Sequence, residues 1–337
     1  MTEQNILMKI NDLSVTYTTR LGEVSAVNRV SFDIYKGEIL GLVGESGCGK
    51  STMGKALMRM IQPPGQITGG QIIFDDEDIM TYNDSQMRDF RGRKVSMIFQ
   101  DPMTSLNPVQ RVDEHIIEAI QVHEPKTKVE QALERAGTLV RKLGIQKRRM
   151  NSYPHQLSGG MRQRVMVGLG LVLNADLIVA DEATTSLDVI VEAKLADQLR
   201  DIRDEFGVSL LVITHNIALV AELSDRVAVM YAGHLVEIGD VEPIFDTPLH
   251  PYTKGLLKSI PNIKLDENED LYKMAGEPPN LTHPPNGCRF HPRCPFAMPI
   301  CQKFEPELAE ISPGRLVKCW LYLDHPEKEQ ETIEVPA

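Results

Sequence analysis

Long apolar runs are missing from this chain. The longest, VMVGLGLVL from Val165 to Leu173, is about half of the roughly 18 residues that a membrane-spanning helix needs, so the sequence predicts no transmembrane segment. The opening MTEQNILMKI has no basic region followed by an apolar stretch and a small-residue cleavage site, which predicts no secretory signal and a cytosolic chain. Positive charge is also in deficit: 36 Lys and Arg against 47 Asp and Glu leave a net charge of -11, so a nucleic-acid backbone is repelled on average. Cysteine is scarce, at five in 337 residues, yet four of the five crowd between Cys288 and Cys319. No internal repeat is evident. With 42% hydrophobic and 25% charged residues, what remains is an ordinary globular composition with material for two domains.

The first two thirds of the chain alternate short apolar runs with helix-period segments, the pattern of an α/β domain. EILGLVGESG, VSMIFQDP, LIVADEA and VSLLVITH each read as a buried strand with a polar end, which is where ligands bind in such folds. Between the last two, VEAKLADQLRDIRDEFG places Leu195, Leu199, Ile202 and Phe206 on one helical face, with Gly207 as terminator. From Asp101 to Gln156 the pattern is helical, with Val129, Leu133, Ala136, Val140 and Leu143 on one stripe, and predicts an inserted helical subdomain at about 101–160. Beyond about Pro251 proline becomes frequent, which predicts a separate loop-rich appendix. The charged tail, residues 326–337, reads as disordered.

The strongest chemical signal is GLVGESGCGKST. Gly44, four residues, then Gly49, Lys50 and Ser51 match a phosphate-binding loop between a strand and a helix candidate. Glycines let the backbone curl so that its N–H groups face a phosphate, Lys50 reaches the β- and γ-oxygens, and Ser51 can ligate Mg²⁺. Cys48 reads as a small residue without chemistry of its own. About 130 residues downstream, LIVADEA ends a strand in Asp181, placed to hold Mg²⁺ through water, and Glu182, placed to polarise an attacking water.

Between these lies HQLSGGMRQRV. Leu157, Ser158, Gly159 and Gly160, followed by Met161, resemble the signature sequence of the ATP-binding-cassette (ABC) ATPases. Other stations of that family follow the same order: Tyr17 as the adenine-stacking aromatic, Gln100 in the Q-loop, Asp188 in the D-loop and His215 as the switch histidine. The resemblance implies an ABC-type P-loop NTPase core over residues 1–260. It implies an ATP site of Tyr17, Gly44, Ser46, Gly47, Cys48, Gly49, Lys50, Ser51, Thr52 and Gln100, with Mg²⁺ at Ser51, Gln100 and Asp181. Glu182 and His215 are then the catalytic residues, and Leu157 to Met161 act on the ATP of a partner subunit. Met161 and Ala183 stand where the family usually has Gln and Pro, and neither change removes a reacting group.

LSGGMRQRVM, TTSLDV and PLHPYTKGLL are similar to the dipeptide, oligopeptide and nickel importer branch of that family. That branch implies a motor working with a second ATPase subunit, a heterodimer being favoured, with two transmembrane permease subunits and an extracytoplasmic substrate-binding protein. It implies a place on the cytoplasmic face of the cell membrane. Nickel or oligosaccharide uptake is the alternative cargo, and a soluble ABC ATPase of DNA repair or the ribosome is the alternative class. Nucleic acid is not an expected partner.

Cys288, Cys294, Cys301 and Cys319 are separated by five, six and seventeen residues. A reducing compartment disfavours disulfides, and the close pair usual in structural zinc sites is absent. Spacing leaves zinc and iron–sulfur both open. The importer branch carries a [4Fe-4S] cluster on such a set, so the resemblance implies a metal-binding extension over residues 261–325 with that cluster as a structural staple and zinc as runner-up. His291, among these cysteines, is expected to play a surface or hydrogen-bonding part.

Overall fold

The computed structural model describes residues 5–99, 105–182, 189–259 and 274–324, with backbone alone over 189–195. Two 14-residue strands, β1 (Ile6–Thr19) and β2 (Gly22–Tyr35), precede β3 (Ile39–Val43). Helix α1 (Lys50–Leu57), β4 (Gly65–Phe74) and β5 (Glu77–Asp78) follow. Next come α2 (Asp84–Arg93), β6 (Val95–Ile98) and the helices α3 (Val112–His123), α4 (Val129–Lys142) and α5 (Gly159–Leu171). The order continues with β7 (Leu177–Asp181), α6 (Val189–Phe206), β8 (Ser209–Ile213) and α7 (Ile217–Leu223). Strands β9 (Arg226–Tyr231) and β10 (His234–Asp240) lead to α8 (Val241–Asp246) and α9 (Pro251–Lys258). Last are α10 (Pro299–Lys303), β11 (Ala309–Ser312) and β12 (Arg315–Val317).

The chain divides into two compact units, one from Met1–Lys9, Asp33–Leu40 and Ile72–Thr214, the other from Ile10–Phe32, Gly41–Gln71 and His215–Ala337. In the first, β6, β7 and β8 run parallel, in register from Val95 opposite Leu177 and from Leu177 opposite Ser209. All residues of these strands are buried, as expected of parallel strands covered on both faces. The Leu210 N–H donates to the Glu38 carbonyl at 2.9 Å, which sets the start of β3 beside β8. Gly207, at φ +65°, ends α6 by donating its N–H to Arg203 O. Leu199 and Ile202 are buried on the expected face.

Helices α3, α4 and α5 pack on one another in this unit. Of the stripe expected on α4, Ala136, Val140 and Leu143 are buried, while Val129 is exposed and Leu133 half-buried, and Ala132 and Leu139 join the buried face. Helices on two sides of α4 widen its contact beyond the single stripe that spacing suggested. The Val165–Leu173 run lies largely within α5, whose Val165, Met166, Val167, Gly168, Gly170 and Leu171 are buried. No helix among the described residues is long and apolar enough to cross a membrane.

In the second unit β2, β1 and β4 are neighbours in one sheet. A further row of strands sets β9 beside the end of β3, then β10, β12 and β11. β9 and β10 form an antiparallel hairpin whose turn residues Ala232 (φ +48°) and Gly233 (φ +82°) both have positive φ, the signature of the tight turn that matches strand twist. Glu237 on β10 is fully buried and accepts hydrogen bonds from Leu249 N–H, His250 N–H and Arg315 Nη2, each at 2.9 Å. One carboxylate thereby ties α9 and β12 to the hairpin.

The cysteine-rich segment is not the separate appendix expected from its prolines. β12 pairs with β10, Glu237 opposite Val317, and Phe290 joins Tyr231 and Tyr252 in a shared core with ring centroids 4.5 to 5.6 Å apart. Proline frequency reported the irregular backbone correctly, but not the sheet edge and aromatic core available nearby.

Candidate nucleotide site

The loop from Gly44 to Ser51 joins β3 to α1. Only glycine fits at two of its positions. Gly44 (φ +154°) and Gly49 (φ +106°) pass so close to the Met230 and Ala26 carbonyls that an added Cβ would lie 2.1 Å from each oxygen. Gly49 caps α1 in the left-handed conformation, and Met53 N–H closes the first turn on Gly49 O at 2.8 Å. Lys50 is buried, and its Nζ donates to the carbonyls of Gly44 (2.8 Å) and Glu45 (3.0 Å). Ser46 and Gly47 are exposed, while Ser51 and Thr52 are half-buried. Cys48 is buried 3.8 Å from Lys50 Nζ, and burial pushes its thiol pKa up. This fits a filler better than a nucleophile.

The same loop is held from outside. Gly233, in the β9–β10 turn, donates its N–H to Cys48 O at 2.9 Å, and Gly233 O accepts from Asn28 N–H. The Tyr252 hydroxyl accepts from Glu45 N–H at 2.8 Å. Arg293 grips the Glu45 carboxylate with two nitrogens, Nη1 to Oε2 at 2.8 Å and Nη2 to Oε1 at 3.1 Å. Sequence reasoning missed Tyr252 and Arg293; the HPYT stretch around Tyr252 was the only signal. Tyr17 is half-buried on β1, its ring lying against Gly65. His215 is exposed just after β8, and the next residue, Asn216, caps α7 by accepting from Ala218 and Leu219 N–H.

The first unit holds the acidic pair and the signature segment. Asp181 is buried as the last residue of β7. Glu182 follows at φ +47°, its N–H donating to Ile213 O at 2.8 Å. A left-handed glutamate is unusual, and such strain is concentrated at working sites. Ser158 caps α5, with Oγ accepting from Met161 N–H at 3.4 Å. Arg162 fixes the approach by donating to Leu157 O at 2.9 Å. Leu157 is buried, Ser158 and Gly159 are exposed, and a Cβ on Gly159 would meet nothing within 4 Å, so this helix start is open to a second molecule. Gln100, Asp188 and Ala183 lie outside the described residues.

The four clustered cysteines lie in the second unit. Cys301 and Cys319 are buried, and Cys288 and Cys294 half-buried. Cys288 N–H donates to Cys301 O at 2.8 Å, an approach that needs Gly287, where a Cβ would lie 2.4 Å from that oxygen. His291 turns its Nδ1 to Cys288 O at 2.9 Å rather than standing in the thiol set. Burial, reinforced by the other thiols, raises Cys288 to about 11 and Cys319 to about 12. Among the described residues no three His, Cys, Asp or Glu side chains are grouped to hold a metal ion. Four free thiols in one segment are the donor set that a larger thiolate-held group would use, and Lys318, next to Cys319, is already paired with Glu305 at 2.6 Å.

The ABC transporter family profile matches residues 27–185, and the profile of the oligopeptide/dipeptide transporter C-terminal region matches residues 236–301. The oligopeptide transport ATP-binding protein OppD of Bacillus subtilis is 43% identical, over 95% of this chain and 90% of the relative. The dipeptide transport ATP-binding protein DppD of Bacillus subtilis is also 43% identical, over 94% of each chain. Among solved structures, the dimeric ATP-binding cassette MJ0796, bound to ADP and phosphate in a post-hydrolysis state, is similar with a TM-score of 0.62 and 26% identity. That similarity covers 69% of this chain and 98% of the other.

Proposed function

The chain belongs to the ATP-binding subunits of ABC transporters, and on that premise we propose that it is the ATP-hydrolysing motor of an importer for dipeptides or oligopeptides. The observation that carries the reading is the cradle at Gly44–Ser51, where glycine backbone and the Lys50 ammonium converge at the start of α1. The match of the C-terminal region at residues 236–301 supports peptides as cargo.

In this reading the loop amides and Lys50 bind the β- and γ-phosphates, and Tyr17 stacks on adenine. Mg²⁺, for which Ser51, Gln100 and Asp181 are the candidate holders, supplies charge neutralisation at the phosphates. Glu182 orients the attacking water, and His215 contacts the γ-phosphate. The exposed start of α5 at Ser158–Gly160 acts on ATP held by a second subunit, and Asp188 is the D-loop residue, so hydrolysis requires a head-to-tail pair, a heterodimer being favoured. Two transmembrane permease subunits and an extracytoplasmic substrate-binding protein complete the importer, which places this chain at the cytoplasmic face of the membrane. Cys288, Cys294, Cys301 and Cys319 are the candidate ligands of a [4Fe-4S] cluster, with zinc as the alternative. Such a group supplies a cross-link within a proline-rich segment.

Glu182→Gln in the complete transporter tests the core of this proposal. ATP should still bind and the paired ATP-loaded subunits should accumulate, while turnover and peptide uptake fall by roughly two to four orders of magnitude. Unchanged ATPase activity would refute the assignment.

A further inference from the structure

Glu45 occupies an awkward place. It projects a carboxylate from a loop whose other features, inward glycine backbone and a buried lysine, suit a polyanion. An unpaired carboxylate there would repel a triphosphate. In the structure it is paired: Arg293 meets both oxygens in the fork geometry that makes guanidinium–carboxylate contacts strong and directional. The Arg293 side chain is 6% exposed and that of Glu45 25%, so the pair is partly shielded from the screening that weakens surface pairs.

Arg293 is itself held. Its Nε donates to Ala275 O at 3.0 Å, and Nη1 reaches the Tyr231 hydroxyl at 3.4 Å. On the other side Tyr252 takes the Glu45 N–H, while Lys50 takes the Glu45 carbonyl. Side chain, N–H and carbonyl of this one loop residue are therefore fixed by three different parts of the chain. Two of the three anchors, Tyr252 and Arg293, come from the C-terminal region, and the third is the lysine that must meet phosphate.

We propose that Arg293, acting through Glu45, is a positioning residue of the nucleotide site, so that the C-terminal region sets how tightly the loop binds nucleotide. This rests on the reading of Gly44–Ser51 as the phosphate cradle and is independent of which metal the cysteines take. The mechanism is electrostatic as well as geometric. Arg293 fixes the backbone at the mouth of the loop and neutralises a charge that otherwise opposes the ligand. This gives the pair a sign that a purely structural contact lacks: once Arg293 is gone, removing the Glu45 charge should help binding.

The test is the dissociation constant of MgADP for the full chain, by fluorescence of a labelled ADP, in wild type, Arg293→Ala, Glu45→Gln and the double variant. Arg293→Ala should weaken binding about tenfold, the scale of one charge-assisted contact. The double variant should recover most of that loss, and in the complete transporter Arg293→Ala should raise the KM for ATP with kcat within about twofold. Arg293→Gln, which keeps an amide donor for Ala275 O, carries the same expectations where Arg293→Ala does not fold. A dissociation constant within about twofold of wild type for the arginine variant, or a double variant no tighter than it, overturns the proposal. Wild type that fails to bind MgADP at all instead overturns the phosphate-cradle reading beneath it.

Discussion

Acidification should strip stability from this protein through His250. The residue is 1% exposed and caps α9, its Nδ1 accepting from Tyr252 N–H at 3.0 Å. Only an unprotonated Nδ1 can accept. Burial, with a smaller contribution from the Lys254 ammonium, lowers its pKa to about 3. In the unfolded chain the value returns to about 6.5. Below pH 6.5 the unfolded state therefore takes up a proton that the folded state refuses, so the contribution is present above that pH and is lost progressively towards pH 3. Between pH 7 and pH 5 the loss is about 1.36 kcal/mol for each of roughly 1.5 pH units, or about 2 kcal/mol. His234 is also held well below its ordinary value, by burial first and then by Arg289, Lys318 and Arg29, so the whole protein will lose more than this. His250→Asn isolates the single residue, because an asparagine oxygen can cap the helix without titrating. Urea unfolding at pH 7 and pH 5 should show wild type losing about 2 kcal/mol more than the variant over that interval. Equal losses in the two proteins would refute the reasoning.

Two further outcomes follow from the same region. Glu237→Ala leaves Arg315 without its buried partner and two N–H groups without an acceptor, and should cost about 3–5 kcal/mol in urea unfolding at pH 7. Glu237→Gln, which keeps an acceptor, should cost less. Full chain purified without oxygen should show the broad visible absorption of an iron–sulfur centre, with iron and sulfide in matching amounts, and Cys301→Ala should abolish it. Stoichiometric zinc without sulfide would select the alternative.

Much of the candidate nucleotide site was legible because its parts are local. A strand, a glycine loop and a helix start within about a dozen residues mark the candidate phosphate cradle, and the parallel strands β6, β7 and β8 were each visible as continuous apolar runs. The long strands β1 and β2 were not read from the sequence. The partners of Glu45 were illegible for a plainer reason: Arg293 lies 248 residues away, and no periodicity relates a loop glutamate to an arginine among prolines. On α4 the stripe held at Ala136, Val140 and Leu143, and Ala132 and Leu139 were missed because a helix flanked on two sides buries more than the stripe its spacing suggests.

The turn between β9 and β10 carries a consequence for how this protein can vary. Hairpin tips are ordinarily where chains accept inserted residues. Here Gly233 N–H meets Cys48 O, Gly233 O meets Asn28 N–H, and Ala232 O accepts from Arg289. Three separate stretches of chain read the length of one two-residue turn. A single inserted residue would put all three out of step at once, so this tip should be as intolerant of length change as the glycine-rich loop it supports.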